Sequence, residues 1–390
     1  MTRALAPGRR HYLTAFGTRP EIIKLAPLVA ELRSRGNPIT VVNTGQHHDD
    51  SMNSDFTRDL GMRVDVDLAP APSPDTFPGH VLNQAIGVIA ARGPDAVLLL
   101  GDTLTVPLFA LAARRAGVPA IHLEAGMRSL NGRSLEEVNR KMAAAAASIH
   151  FAPTALSAAF LVGESVAPER IFTVGNTVTD ALRLVGPPRV PVEQRMGVLL
   201  TAHRASNVDS PERLGRIVDL ALRLAELGPV TFPVHPRTAM RLREFDLAAR
   251  LEGIDDLTPT GPLDYAPMLH ALAETALVVT DSGGIQEECS WYGVPAIVLR
   301  RSTPRWEGVR DRTVFLCGID TDDEVRAARG LAARLLKPDE RSRIDSVTCP
   351  YGDGWVSRRI ADVLASPDAE RLLALTEDPV DLAALPWPPP

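Results

Sequence analysis

A chain of 390 residues, 45% apolar and 23% charged, exceeds one ordinary core and reads as a globular protein of two domains. Its formal net charge of -6 excludes a general attraction to nucleic acid or to an anionic membrane surface, so any phosphate must be held by local groups. Three cysteines without ligand-like spacing, Cys289, Cys317 and Cys349, exclude a disulfide framework and a cysteine-rich zinc site and suit a reducing compartment. The opening residues carry Arg3, Arg9 and Arg10 but no apolar core of signal-peptide length, and no stretch is apolar enough to span a bilayer. The cytoplasm is the expected location.

Short apolar runs alternate with helical patterns, the signature of parallel α/β architecture. In chain order the strand-like runs are His11–Phe16, Ile39–Thr44, Ala96–Leu100, Ala120–Glu124, Ile149–Ala152 and Ile171–Val174. A second series follows: Gly197–Thr201, Val230–Val234, Ala276–Thr280, Ala296–Leu299 and Val314–Cys317. Several are continuously apolar, as strands covered on both faces should be. Helices are expected over Pro20–Arg35, with a kink at Pro27, and over Pro107–Ala116, Pro211–Leu227 and Gly284–Tyr292. The stiff segment Gly186–Pro191 separates the two series as a linker. The expected division is therefore 1–180, 181–354, a helical segment 355–372 and a proline-rich tail 373–390.

Chemistry-bearing residues cluster where strands end. Gly17-Thr-Arg-Pro-Glu21 joins a strand to a helix; glycine allows close approach, the helix start favours an anion, and Arg19 and Lys24 could reach a phosphate. A tight turn with a surface arginine explains that motif equally well. Asp281-Ser-Gly-Gly-Ile-Gln-Glu-Glu288 is sharper: Ser282 reads as an N-cap, Gly283 and Gly284 offer free amides to a diphosphate, and Glu288 suits ribose hydroxyls. It matches neither the dinucleotide fingerprint nor a P-loop. Asp102 and Glu124 end successive strands, and Glu136 or Glu137 opens a helix. Carboxylates converging on one cleft split their titrations and supply both acid and base. His203-Arg204 and His235-Pro-Arg237 end strands of the second series and favour an anion site, although histidine can also carry a proton. No zinc-like histidine spacing occurs; the contiguous His47-His48-Asp49-Asp50 is the only metal-like cluster and reads as a loop.

Eleven segments in order, GTRPEIIKLAPLV, TGQHHD, GDT, HLEAGMRS, EEVNR, FAPT, VGNTVTDAL, TAHR, FPVHPRT, TDSGGIQEE and PYGDG, closely resemble the non-hydrolysing UDP-N-acetylglucosamine 2-epimerases over residues 13 to about 365. The resemblance implies a GT-B-like α/β fold, with two Rossmann-like domains, the active site between them, and a C-terminal helix returning to the first. It implies interconversion of UDP-GlcNAc and UDP-ManNAc through elimination of UDP, with no metal or other cofactor, by a homodimer. Asp102, Glu124, Glu136 and His203 would be the catalytic group. Arg19, Lys24, His235, Met268, Ser282, Gly283, Gly284, Glu288 and Arg305 would hold UDP. Gln46, His47, Arg128 and Arg204 would touch the sugar or a second bound nucleotide sugar. The chain departs from the family pattern in several places: the segment between Glu124 and Glu136 is shorter, with Leu135 for a common proline, Ser206–Asn207 stands for a Glu–Asn pair, Met268 for an aromatic, and Arg301-Ser-Thr-Pro-Arg-Trp-Glu307 for Asp-Thr-Thr-Glu-Arg-Pro-Glu. These bear on sugar selection, domain closure and regulation.

A GT-B glycosyltransferase would need the phosphate sites but not three carboxylates where an acceptor enters. A hydrolysing epimerase differs only in letting water trap the intermediate. A silent UDP-sugar sensor should have lost part of the catalytic four, which is intact.

Overall fold

The structure is a computed structural model that describes residues 9–45 and 61–375; Gln46, His47 and the tail from residue 376 lie outside the described residues. Two separate all-parallel sheets organise it. The first contains β1 (Tyr12–Phe16), β2 (Ile39–Asn43), β3 (Val66–Asp67), β4 (Ala96–Leu100), β5 (Ala120–Leu123), β6 (Ile149–Ala152) and β7 (Ile171–Thr173) in the order β3-β2-β1-β4-β5-β6-β7. The second contains β8 (Met196–Thr201), β9 (Val230–Pro233), β10 (Leu257–Thr260), β11 (Thr275–Thr280), β12 (Ala296–Val298) and β13 (Val314–Leu316) in the order β10-β9-β8-β11-β12-β13. In both, the first strand of the series sits inside and the direction of winding reverses beside it, between β1 and β4 and between β8 and β11. A Rossmann-like sheet opens its ligand crevice at that reversal.

All eleven strand-like runs are strands, and β1, β4 and β11 are buried throughout. Helices on opposite sides supply separate apolar layers, such as Ile22, Leu25 and Leu28 on one face of the first sheet and Val81, Ala85 and Phe109 on the other. Two edge strands were not legible. β3 is two residues long, and β10 contains Pro259, which can lie only where no partner needs its N–H. The helix Arg19–Ser34 runs through Pro27 without a break, with Pro27 buried. Residues 186–191 carry no helix or strand and join the two series.

After β13 the chain turns back. The helices Val356–Leu364 and Pro367–Leu373 lay Val356, Ile360, Leu364 and Leu372 into the same core as Tyr12, Ile22 and Phe151 of the first sheet layer. Asp180 fixes the re-entry by accepting from the amides of Val356 at 2.8 Å and Ser357 at 2.6 Å, satisfying two orphan donors at a helix start. Burying Ile360 and Leu364 contributes about 2 kcal/mol each. Among the described residues no helix is long and apolar enough to cross a membrane.

Candidate active site

The two reversal points face each other, and each is built by polar residues that tie neighbouring strand ends. On the first sheet, Glu21 is the tie. Its Oε2 accepts from the amides of Gly17 and Thr18, both at 2.9 Å, and its Oε1 from Thr103 Oγ1 at 2.8 Å. The turn after β1 and the turn after β4 are thereby held together. Burial pushes the Glu21 carboxyl up to about 7, against the pull of these hydrogen bonds. Asp102, in the turn after β4, accepts from Arg140 Nη2 at 2.7 Å and Nε at 3.1 Å, while Asn139 grips its carbonyl at 2.9 Å. Arg140 also meets Glu137, whose carboxylate holds the Ser129 and Leu130 amides at 2.8 and 3.2 Å. The two neighbouring glutamates therefore divide: Glu137 is buried and structural, whereas Glu136 lines the open cleft. Burial opposes ionisation of Glu136, but the Ser134 hydroxyl, its own amide and Arg204 outweigh it and hold its pKa below the ordinary value.

Glu124 follows β5 with φ of 59°, a left-handed backbone that a non-glycine residue adopts only when its surroundings enforce it. Gly101 makes room: a Cβ there would stand 3.4 Å from Glu124 Oε2. The Glu124 carboxylate accepts from Lys24 Nζ and, at 2.6 Å, from Asn176 Nδ2. Burial alone would raise its pKa, yet the Lys24 ammonium and the Arg305 guanidinium hold it below the usual range. Lys24 in turn is pushed up to about 12, because Glu124 and Glu287 outweigh its burial. Glu287, on the helix Gly284–Tyr292, completes a buried cluster. It accepts from Lys24 at 3.0 Å, Asn176 at 3.1 Å and Arg305 Nε at 3.0 Å. Two carboxylates and two cations thus bridge the two sheets.

On the second sheet Asp281 is the organiser. Fully buried after β11, it accepts from the amides of His203 (3.1 Å to each oxygen) and Arg204 (2.9 Å) and from Asn207 Nδ2 (3.1 Å). His203 Nδ1 stands 3.3 Å from Asp281. Burial lowers the His203 pKa, with Asp281 opposing and Arg204 and Arg300 assisting. His235 lies 5.4 Å from it, ring centre to ring centre, but its Nδ1 accepts from the Arg237 amide and caps the helix Pro236–Glu244.

The expected N-cap at Ser282 is corrected. The helix begins at Gly284 with Gly283 as its cap residue, and Ser282 instead gives its amide to Thr280 Oγ1 at 2.9 Å. The reason is that β11 ends in Thr280, whose hydroxyl captures the first free amide. Above Gly284 the space is open, whereas a Cβ on Gly283 would lie 3.0 Å from Arg305 Nη1. Glu288 is buried, and burial together with Glu287 pushes it up to about 7. Met268, on the helix Tyr265–Glu274, packs half-buried into the core layer beside Tyr265. Arg19 reaches Asp264, just before that helix, at 3.3 Å and so also spans from one sheet to the other.

Between the sheets lies a cleft of about 590 Å³ that Glu136, Arg204, Asn207 and Arg300 line. Arg128 is turned away from it: its guanidinium holds both oxygens of Glu164 at 2.9 and 2.6 Å. Its carbonyl accepts from the Trp306 indole at 2.9 Å, so the unusual tryptophan ties the second half to the first. The sequence reading did not single out Glu287, Asp281 and Asn176. Each lay inside a motif already noted, but nothing in a linear motif tells which of two adjacent glutamates points inward.

A protein-family model for UDP-N-acetylglucosamine 2-epimerase matches residues 30–365. A Methanocaldococcus jannaschii protein named UDP-N-acetylglucosamine 2-epimerase is 32% identical over 365 residues, 89% of this chain and 97% of that one. A Pseudomonas aeruginosa protein named UDP-2,3-diacetamido-2,3-dideoxy-D-glucuronate 2-epimerase is 33% identical over 365 residues, 90% of this chain and 99% of that one. The crystal structure of the Methanocaldococcus jannaschii UDP-GlcNAc 2-epimerase in complex with UDP-GlcNAc and UDP superposes with a TM-score of 0.80 at 32% identity, covering 91% of this chain and 99% of that one.

Proposed function

The chain belongs to the UDP-N-acetylglucosamine 2-epimerase family, and on that premise we propose that it inverts C2 of UDP-N-acetylglucosamine, or of a closely related UDP-2-acetamido sugar, without releasing the free sugar. The observation that carries the reading is Glu124: a carboxylate held ionised on a left-handed backbone, across from a glycine-lined helix start.

UDP would lie over Gly283 and Gly284, its diphosphate against the helix start and within reach of Arg19, His203 and Arg305. A carboxylate among Asp102, Glu124 and Glu136 removes the C2 proton. The C2–H electrons form the C1=C2 bond as the C1–O bond breaks, and the pair from that bond leaves with UDP. His203 and Arg305 stabilise the charge that develops on the departing phosphate. The resulting 2-acetamidoglucal takes a proton on the opposite face of C2 and UDP returns to C1. The site must therefore keep intermediate and UDP together, which a closing cleft achieves. In this reading Glu288 would meet the ribose hydroxyls and Met268 would lie beside the base.

We further take residues 1–180 and 181–354 as the two closing units, with 355–372 anchored on the first. A nucleotide-sugar substrate suits the cytoplasm. A homodimer is supported by the exposed Leu135, Val138 and Met142, which line one side of the helix Leu135–Ala146; light scattering measures it directly.

The deciding experiment is incubation with UDP-GlcNAc in heavy water followed by NMR. The expected result is UDP-ManNAc, with deuterium at C2 of both sugars. Turnover without C2 exchange would overturn the elimination route, and free ManNAc with UDP as the main products would replace epimerisation by hydrolysis. Running the 2,3-diacetamido uronate in parallel identifies the preferred sugar.

A further inference from the structure

The catalytic set named so far contains Glu124 but not the residue that shares its partners. Glu287 is fully buried and takes no part in the scheme above, although a buried carboxylate is retained only when it is paired. It accepts from three donors, Lys24, Asn176 and Arg305, at 3.0 to 3.1 Å. Two of these, Lys24 and Asn176, also donate to Glu124. Glu287 sits in the first turn of the helix that begins at Gly284, whereas Lys24, Glu124 and Asn176 belong to the first sheet's side.

We propose that Glu287 is the positioning residue of this site: it draws Lys24 and Arg305 partly away from Glu124, and so governs how strongly Glu124 can take up the sugar's C2 proton. This rests on the epimerase reading above. With Glu287 present, two cations are shared between two carboxylates, leaving Glu124 ionised but not neutralised. Without its charge, both cations would bear on Glu124 alone, making it a weaker base. The other charged or titratable groups facing the cluster are Glu288, Tyr265 and Cys349, which bear on Glu287, Tyr351, which bears on Glu287 and Arg305, and Asp102, which bears on Arg305. His122, two residues before Glu124, has its pKa pushed down to about 4 by burial. None of these shares a donor with Glu124 as Glu287 does. Because Glu287 rides on the helix that would cradle UDP, filling that cradle and setting the base become one event.

The test is the pH profile of kcat for C2 epimerisation in Glu287→Gln. Gln keeps the shape and removes the charge. The expected result is a kcat reduced 10- to 100-fold, an acid limb moved to lower pH by at least half a unit, and a KM changed less than fivefold. Glu287→Asp should return the limb towards the wild-type position. Asn176→Ala, which removes a shared donor without changing charge, should move the limb upward and keeps the idea testable if the Gln variant does not fold. A limb that stays in place in the folded variants overturns the proposal. Wild-type C2 exchange tests the epimerase reading separately, so the two failures are distinguishable.

Discussion

Replacing Asp281 by Asn probes whether the second sheet positions His203 for chemistry. The carboxylate accepts from the His203 and Arg204 backbone amides and from Asn207 at 2.9 to 3.1 Å, and lies 3.3 Å from His203 Nδ1. An amide in its place keeps one oxygen, which would stay with Arg204 and Asn207. Its NH2 group must then face the His203 N–H, a buried donor meeting a donor. Losing one charge-assisted bond and creating that conflict costs about 2–3 kcal/mol. If the loss falls on the transition state, kcat drops ~30- to 150-fold. The charge matters as well: Asp281 is the group that favours protonation of His203, and a ring that cannot hold a proton cannot donate to departing UDP. The assay is steady-state epimerisation with thermal melting measured alongside. A melting temperature lowered by several degrees with kcat within threefold of wild type would refute the reasoning, since Asp281 would then serve folding alone.

Two further outcomes concern residues of the first sheet and its turns. His150 lies on β6, beside the edge strand β7, with its pKa pushed down to about 3 by burial, aided by His122 and nearby arginines. A depressed histidine contributes stability that is complete above its unfolded pKa of ~6.5 and is lost as pH falls towards its folded value, so His150→Leu should gain ~2 kcal/mol relative to wild type between pH 7 and pH 5. Glu21 and Glu288, raised to about 7, act with the opposite sign over the same range. They are present in both proteins and cancel from the difference, which urea melts at the two pH values measure; an unchanged difference would count against a neutral buried ring. Gly126→Ala should lower the melting temperature sharply, because Gly126 has φ of +81° and a Cβ there would sit 2.0 Å from the Ser157 carbonyl oxygen. Left-handed strain and overpacking together cost at least ~3 kcal/mol, and a melting temperature within 2 °C of wild type would show that the helix Ala155–Gly163 yields freely.

The parallel sheets were legible because their strands are covered on both faces, and continuous apolar runs such as Ala96–Leu100 have no other explanation at that length. Strand ends were equally legible, since a glycine or a polar residue directly after such a run can only stand at the sheet's edge; Asp102, Glu124 and His203 were found that way. What stayed hidden depends on side-chain direction. Glu136 and Glu137 are adjacent and chemically identical, yet one lines the cleft and the other clamps a loop. Arg128 carries the same charge as Arg204 but spends it on Glu164, thirty-six residues further along the chain. Pairings of that kind are set by how helices pack, and one sequence does not contain them in readable form.

The return of the C-terminal helices has a mechanical meaning. The polypeptide passes between the two sheets twice, once between β7 and β8 and again before Val356. A body joined to another at one point can swing and twist in any direction. Joined at two, it is left with rotation about the line through both crossings, as a door is by a pair of hinges. The returning helices make the second attachment firm, with Asp180 as the bolt. Each opening and closing would retrace one arc, bringing Glu287 and Lys24 back into register.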